Sequence, residues 1–188
     1  MVDPERKPRM VVDLIPVNKA MVKHYFPMPY LYTLGSHLVH SKIFFTLDAF
    51  KGYWQFPVVG DLDIQSFITP DGIFTPKRIL QGNCNGVFAF QRGMSEIFSD
   101  LIPSRLLIWL DDVLGHALDT DDLFALLKIV FERCRERQLK LNADKCRFYL
   151  TEALWCGHLY SSEGVKHDPN RISALEAFSS PVTAGDLM

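Results

Sequence analysis

The sequence predicts an α+β domain built as an antiparallel sheet with helices packed on one face. Three observations lead there. Short runs of β-branched and aromatic residues recur with turn signals between them. Two longer stretches carry apolar residues at helical spacing. No repeat, low-complexity tract or Gly/Ser linker divides the chain.

Taken in order, the first thirty residues are rich in Pro and basic side chains and read as a short strand followed by extended chain. KIFFTLDAF (42–50) is dense in aromatic and branched residues and reads as a buried strand ending near Asp48. SFITPDGIFTPKRIL (66–80) reads as two short strands about a Pro-Asp-Gly turn. From Val87 onward, Phe90, Met94, Ile97, Phe98 and Leu101 follow helical spacing, with Asn85 as N-cap and Pro103 beyond the end. LLIWL lacks a helical pattern and is a strand, as is VLGHAL, which leaves Asp111 and Asp112 at a tight hairpin turn. A second helix is predicted from about Asp121 to Arg137. Leu123, Leu126, Leu127, Val130 and Cys134 line one side of it, and its acids and arginines are ordered to suit the helix dipole. Short strands follow around LWCGHLY.

Composition narrows the class. With 48% hydrophobic and 22% charged residues the chain can bury a core. A net charge of −2 gives no global basic signature, so contacts to a nucleic acid would come from local basic residues or from other parts of a longer protein. Cys84, Cys134, Cys146 and Cys156 show neither CxxC spacing nor a disulfide framework, and an intracellular, reduced chain is expected. No apolar stretch reaches membrane-spanning length, and a soluble protein without membrane contact is expected.

Asp-Asp is a poor hairpin turn, because the favoured pairs supply positive φ and this pair instead sets like charges side by side. Asp48 closes a second apolar strand in the same way. Two buried strands delivering carboxylates to one end would create an anionic cluster that is costly unless a divalent cation neutralises it. Oxygen-only donors suit Mg²⁺ or Mn²⁺, the ions used for in-line phosphoryl transfer.

FTLDAFKGYWQFPV, RILQGNCNGVFAFQ, LLIWLDDVLGHA, the run from Leu139 to Ile172 and, upstream, RMVVDLIPVNK resemble the successive motifs of a reverse transcriptase, gypsy-type LTR retrotransposons above all. The resemblance runs from about Arg9 to Ile172. It implies the fingers and palm of a right-hand polymerase: fingers at roughly 1–45 and 61–83, palm at roughly 46–60 and 84–165, and the start of a thumb or connection at 166–188. It also implies an RNA-directed DNA polymerase adding dNTPs to a primer on an RNA or DNA template. The thumb, RNase H and integrase would belong to a longer polyprotein, placed in a cytoplasmic particle or the nucleus. Asp48, Asp111 and Asp112, with the Ala49 carbonyl, would hold two Mg²⁺ (or Mn²⁺) ions. Tyr53 would be the steric gate against a ribose 2′-hydroxyl, Gln81 and Gly82 would meet the nucleotide, and Arg9 would clasp its triphosphate. Lys145 would protonate the pyrophosphate leaving group. Trp155, Cys156, Gly157 and His158 match the turn that grips the primer; His158 by itself carries no metal or acid–base role.

Two departures stand out. Trp109 stands where the family usually has Tyr two residues before the paired acids; metal binding is expected to survive this, with the contact to the primer–template base pair altered. Val87 and Phe88 replace a Pro and a small residue, so a ring at that helix start would crowd the nucleotide or template. These carry the alternative reading, a decayed copy that folds without polymerising or merely binds nucleic acid. An RNA-dependent RNA polymerase palm shares the carboxylate logic, but Tyr53 and RMVVDLIPVNK argue against it.

Overall fold

A computed structural model describes residues 11–30, 35–38 and 40–177. Arg9 and the segment 178–188 lie outside the described residues. The chain begins with a short helix α1 (Ile15–Ala20), followed by β1 (Ile43–Asp48) and the hairpin β2 (Phe67–Thr69) and β3 (Gly72–Phe74). Helix α2 (Gly86–Ile97) leads to the hairpin β4 (Leu106–Trp109) and β5 (Asp112–Ala117), then to α3 (Thr120–Glu136). Strand β6 (Arg147–Leu150) precedes a meander of β7 (Glu152–Trp155), β8 (His158–Ser161) and β9 (Gly164–His167), and α4 (Pro169–Glu176) follows.

The central sheet has the order β4-β5-β1-β6 and both β4 and β1 pair with β5 antiparallel. Successive side chains of a strand point to opposite faces, and here both faces are buried. Phe45, Leu47, Leu106, Ile108 and Val113 pack against Phe90 and Met94 of α2 and Leu123, Leu126 and Val130 of α3. Phe44, Leu107 and Leu114 pack against Ala153, Trp155 and Tyr160 of the meander. The helices therefore cover one face, as expected, and a second small sheet covers the other. This explains why Phe44, Phe45 and Leu47 and the run LLI (106–108) are apolar on both faces of their strands: each packs against one of the two layers. Gly115 has a packing reason, since a Cβ there would run into the Phe45 ring.

Three expectations need correction. Residues 15–20 form a helix, not part of a strand and extended run; Pro16 sits in its first turn, where a missing N–H costs nothing. Asn85 does stand at the N-terminus of α2, yet its side chain makes no cap. Its Oδ1 accepts from the His24 N–H at 2.9 Å and its Nδ2 donates to the Val22 carbonyl at 2.9 Å, tying the N-terminal segment to the helix. Helix α2 ends at Ile97, while Phe98 and Leu101 stay buried in the turns beyond it. Helix α3 is capped by Asp119, whose side chain accepts from the Asp122 N–H at 2.9 Å. Among the described residues no helix is long and apolar enough to cross a membrane.

His116 is a buried polar group in the middle of β5. It is 4% exposed, its Nδ1 lies 2.8 Å from the Ser41 hydroxyl, and among the described residues its Nε2 has no partner at hydrogen-bond distance. Burial, then the charges of Arg105 and His37, pushes its pKa down to about 4, against weaker pulls from the Pro103 carbonyl and Asp122. The ordinary value is 6.5. A folded value below the unfolded one means the stability is whole above pH 6.5 and is lost as pH falls through about 4. At 1.36 kcal/mol per pKa unit the loss is about 3 kcal/mol. Urea midpoints measured across this window should fall for the natural chain and fall less for His116→Asn; equal slopes in the two would show that His116 is not the titrating group.

Candidate active site

The hairpin of β4 and β5 carries the acids, but not with both at its apex. Trp109 pairs with Asp112, so the two loop residues are Leu110 and Asp111, and Asp112 opens β5. Leu110 has φ 55°, a conformation that costs a non-glycine residue about 1 kcal/mol. Gln91 of α2 holds it there. Its Oε1 accepts from the Leu110 N–H at 2.8 Å and its Nε2 donates to the Ile108 carbonyl at 3.2 Å, the amide being 1% exposed. The shape of the acidic turn is thus dictated from the helix behind it.

Register brings the first acid to the others. In the β1–β5 pairing Asp48 lies directly opposite Asp112, and the Ala49 N–H donates to the Asp111 carbonyl at 3.0 Å. The end of β1 is fixed on its other side as well, where the Asn142 N–H donates to the Asp48 carbonyl at 2.9 Å. Gln55 bonds the carbonyls of Phe50 and Lys140 and the Lys140 N–H. Gly52 closes the space beneath: a Cβ there would lie 2.8 Å from Phe90 and 3.4 Å from the Asp111 Cβ.

A cleft of about 360 Å³ opens between β1, β5, β6 and β7, lined among others by Asp48, Asp112, Lys145, Arg147, Trp155 and Cys156. Lys145 Nζ lies 2.9 Å from Asp48 Oδ2, and this contact raises the lysine pKa. Partial burial first, then the charges of Asp111 and Asp48, raise the pKa of Asp112, while Lys145 pulls it back. Solvent contact at Asp112 limits the size of that shift. Cys156 is pushed up to about 12 by burial and by Asp112 and Asp111, which makes its thiol inert. Tyr53 is raised by burial and by Asp111, and its ring stands 5.2 Å from that of Phe90.

The structure therefore gathers Asp48, Asp111, Asp112, Ala49, Tyr53, Lys145, Trp155 and Cys156 at one end of the sheet, with Gly157 and His158 on the adjoining turn. Trp109 flanks Asp112 and packs against the meander-side core. Gln81 and Gly82 do not line the cleft; both are exposed, and the Gly82 carbonyl accepts from Asn18 Nδ2 at 2.8 Å. Phe88 faces Tyr25 at 5.3 Å and lines a separate groove, so its ring lies away from the carboxylates. Sequence reasoning assigns no role to Arg147 or Gln91. Arg147 lines the cleft, its guanidinium bonding the Asp144 and Cys146 carbonyls.

As they stand, no three His, Cys, Asp or Glu side chains among the described residues are gathered as a metal-holding set. The donor chemistry nevertheless fits a hard divalent ion: the charges of Asp111 and Asp48 raise the proton affinity of Asp112, and Lys145 stands as counter-charge to Asp48.

The pattern of the reverse transcriptase (RNA-dependent DNA polymerase) family matches residues 3–170, and the chain belongs to that family. It is 30% identical over 178 residues to the retrovirus-related Pol polyprotein from transposon 412 of Drosophila melanogaster, covering 94% of this chain and 14% of that one. To the corresponding polyprotein from transposon gypsy of the same fly it is 25% identical, covering 92% of this chain and 17% of that one. The expected kinship with gypsy-type retrotransposons is thus borne out. The chain spans less than a fifth of the length of these relatives. The foamy viral protease-reverse transcriptase in complex with double-stranded DNA shares the fold with a TM-score of 0.87 and 21% identity, over 100% of this chain and 33% of that one. Its complex with an RNA/DNA hybrid gives 0.81 and 22%, over 98% and 25%. The expected α+β polymerase fold is therefore correct.

Replacing Gln91 with Leu would leave the Ile108 carbonyl and the Leu110 N–H buried without their partner. Unfolding free energy by urea titration should fall by about 1–3 kcal/mol, whereas an undiminished value would show that the clamp contributes nothing.

Proposed function

We propose that this chain is the fingers and palm of an RNA-directed DNA polymerase, with the boundaries expected from sequence, working on a primed RNA or DNA template. The observation that carries the reading is the β1–β5 register, which sets Asp48 across from Asp112 with Asp111 at the adjoining turn. Family membership and the nucleic-acid duplexes bound by the foamy viral relatives support it.

Asp48, Asp111 and Asp112, with the Ala49 carbonyl, would hold two Mg²⁺ (or Mn²⁺) ions. When bound, these would acidify the primer 3′-hydroxyl and offset charge on the dNTP phosphates. Lys145 now pairs with Asp48, and at 63% side-chain exposure it is free to swing from the carboxylate towards a phosphate oxygen. There it would hand a proton to the departing pyrophosphate. Tyr53, packed on Phe90 beside Asp111, would press its ring against the nucleotide sugar and exclude a 2′-hydroxyl. Gln81, Gly82 and Arg9 would contact the nucleotide. Trp109, Trp155, Cys156, Gly157 and His158 would seat the primer and template. The thumb, RNase H and integrase of a longer polyprotein would complete the machine, in a cytoplasmic particle or the nucleus.

Primer extension with dNTPs and Mg²⁺ tests this directly, on the chain alone and joined to its downstream sequence. Asp111→Asn should lower the rate at least ~10²-fold, the scale of losing one preorganised electrostatic group, with an unchanged circular dichroism spectrum. A mutant as fast as the natural chain would remove the mechanism. Tyr53→Ala should raise ribonucleotide incorporation relative to dNTPs; an unaltered ratio would take away the gate role alone.

A further inference from the structure

Arg171 stands in the first turn of α4, and its guanidinium lies against the turn that joins β7 to β8. A Cβ built on Gly157 would collide with Arg171 Nη1 and lie 2.5 Å from its Cζ and 2.9 Å from its Nη2. The guanidinium thus occupies the space that a side chain at this position would fill. We propose that Arg171 is the cation of the primer seat, its guanidinium binding a phosphodiester of the primer strand. This role presupposes the polymerase reading, which supplies the strand.

Local energetics disfavour the placement. The first turn of a helix is the positive end of its dipole, where a cation is unwelcome. Among the described residues no carboxylate pairs with Arg171. Asp168, the acid nearest to it in sequence, serves as N-cap and accepts from the Asn170 N–H at 2.9 Å. The two carbonyls of the turn have partners of their own. The Gly157 oxygen accepts from the Asp168 N–H at 3.3 Å, and the Cys156 oxygen lies 3.2 Å from His158 Nδ1. A guanidinium without counter-charge is therefore held on a bare turn, carrying a plane of donors that matches two oxygens of a phosphate.

The turn makes room for a backbone to approach. Cys156 and Gly157 have φ 48° and 77°, the left-handed pair of a two-residue hairpin loop. A side chain at Gly157 would strain that conformation and displace the guanidinium. The bond from Asp168 to Gly157 ties the start of α4 to the loop, which keeps Arg171 beside it. Cys156 also lines the cleft with Asp48 and Asp112, so a strand held at Gly157 meets the carboxylates through the adjoining residue. Contacts to phosphate fix position without reading bases, which suits a primer of any sequence.

Anisotropy titration of a labelled primer–template duplex with the whole chain, repeated across KCl concentrations, tests the role, with steady-state primer extension alongside. Two neutral variants, Arg171→Gln and Arg171→Met, should each weaken duplex binding roughly tenfold. Each should also lower the slope of log affinity against log salt by about one, a count of phosphate contacts that a packing defect does not change. Arg171→Lys keeps the charge and should keep the slope. KM for the duplex should rise in the neutral variants while KM for dNTPs holds. Lys166→Gln removes a cation already paired with Glu163 at 2.9 Å and should alter neither affinity nor slope. Arg171 is exposed, so its variants are expected to fold, and their melting temperatures check this. An unchanged slope in both neutral variants, a lowered slope in Arg171→Lys, or an equal loss in Lys166→Gln would each overturn the role and leave the polymerase reading standing. A natural chain that binds no duplex would overturn both.

Discussion

The antiparallel register between β1 and β5 is the constraint on which the site depends. A slip of one residue would move Asp48 away from Asp112 and turn every side chain of β1 to the opposite face. Burial on both faces forbids it. Phe44 packs on the meander side and Phe45 and Leu47 on the helix side, all three within 2% of complete burial. Each is worth about 1.5–3 kcal/mol when removed from water. Like charges set opposite each other on a sheet oppose pairing by roughly 0.2–1 kcal/mol. The apolar residues win by a wide margin, so the core imposes a carboxylate encounter that the carboxylates themselves resist.

The second requirement is that the turn between β4 and β5 keep its shape. Leu110 gains nothing from a left-handed conformation, and a two-residue loop of Leu and Asp carries none of the usual hairpin chemistry. Its geometry is imported from α2 through Gln91, whose amide replaces the bonds a better turn would make for itself. Phe90, the preceding residue of the same helix, closes on Gly52 and Tyr53. One helix turn therefore governs both the acidic loop and the aromatic ring nearest to it. Strained backbone held in place by its surroundings is common at functional sites.

Much of this could be read from the chain. The strands ending at Asp48 and flanking Asp111, the Pro-Asp-Gly hairpin and the helix over 120–136 announce themselves through local periodicity. What could not be read depends on partners distant in sequence. Gln91 and Leu110 are 19 positions apart, Lys145 and Asp48 are 97, and Asn85 meets His24 across 61. Periodicity marks Gln91 only as an inward-facing polar residue on a helix. Likewise nothing in LLIWL shows that its second face is covered by strands some fifty residues later. The helix at Ile15–Ala20 was hidden because Pro16 and its branched neighbours resemble extended chain, although Pro in a first turn is compatible with a helix.

Charge balance in the cleft adds a last constraint. Asp48 and Asp112 line it, Asp111 acts on it from the turn, and Lys145 and Arg147 are the cations in its wall. Lys145 is already committed to Asp48, and the Arg147 guanidinium is engaged with the Asp144 and Cys146 carbonyls. Three carboxylates against two cations leave the wall of the cleft net negative, which opposes the approach of a polyphosphate. Under the polymerase reading, the carboxylates would oppose the nucleotide's phosphates here, and bound divalent ions together with the exposed Lys145 would offset that charge. Under the same reading, attraction for a nucleic-acid backbone would come from local basic residues or from other parts of a longer protein, as the net charge of −2 leads one to expect.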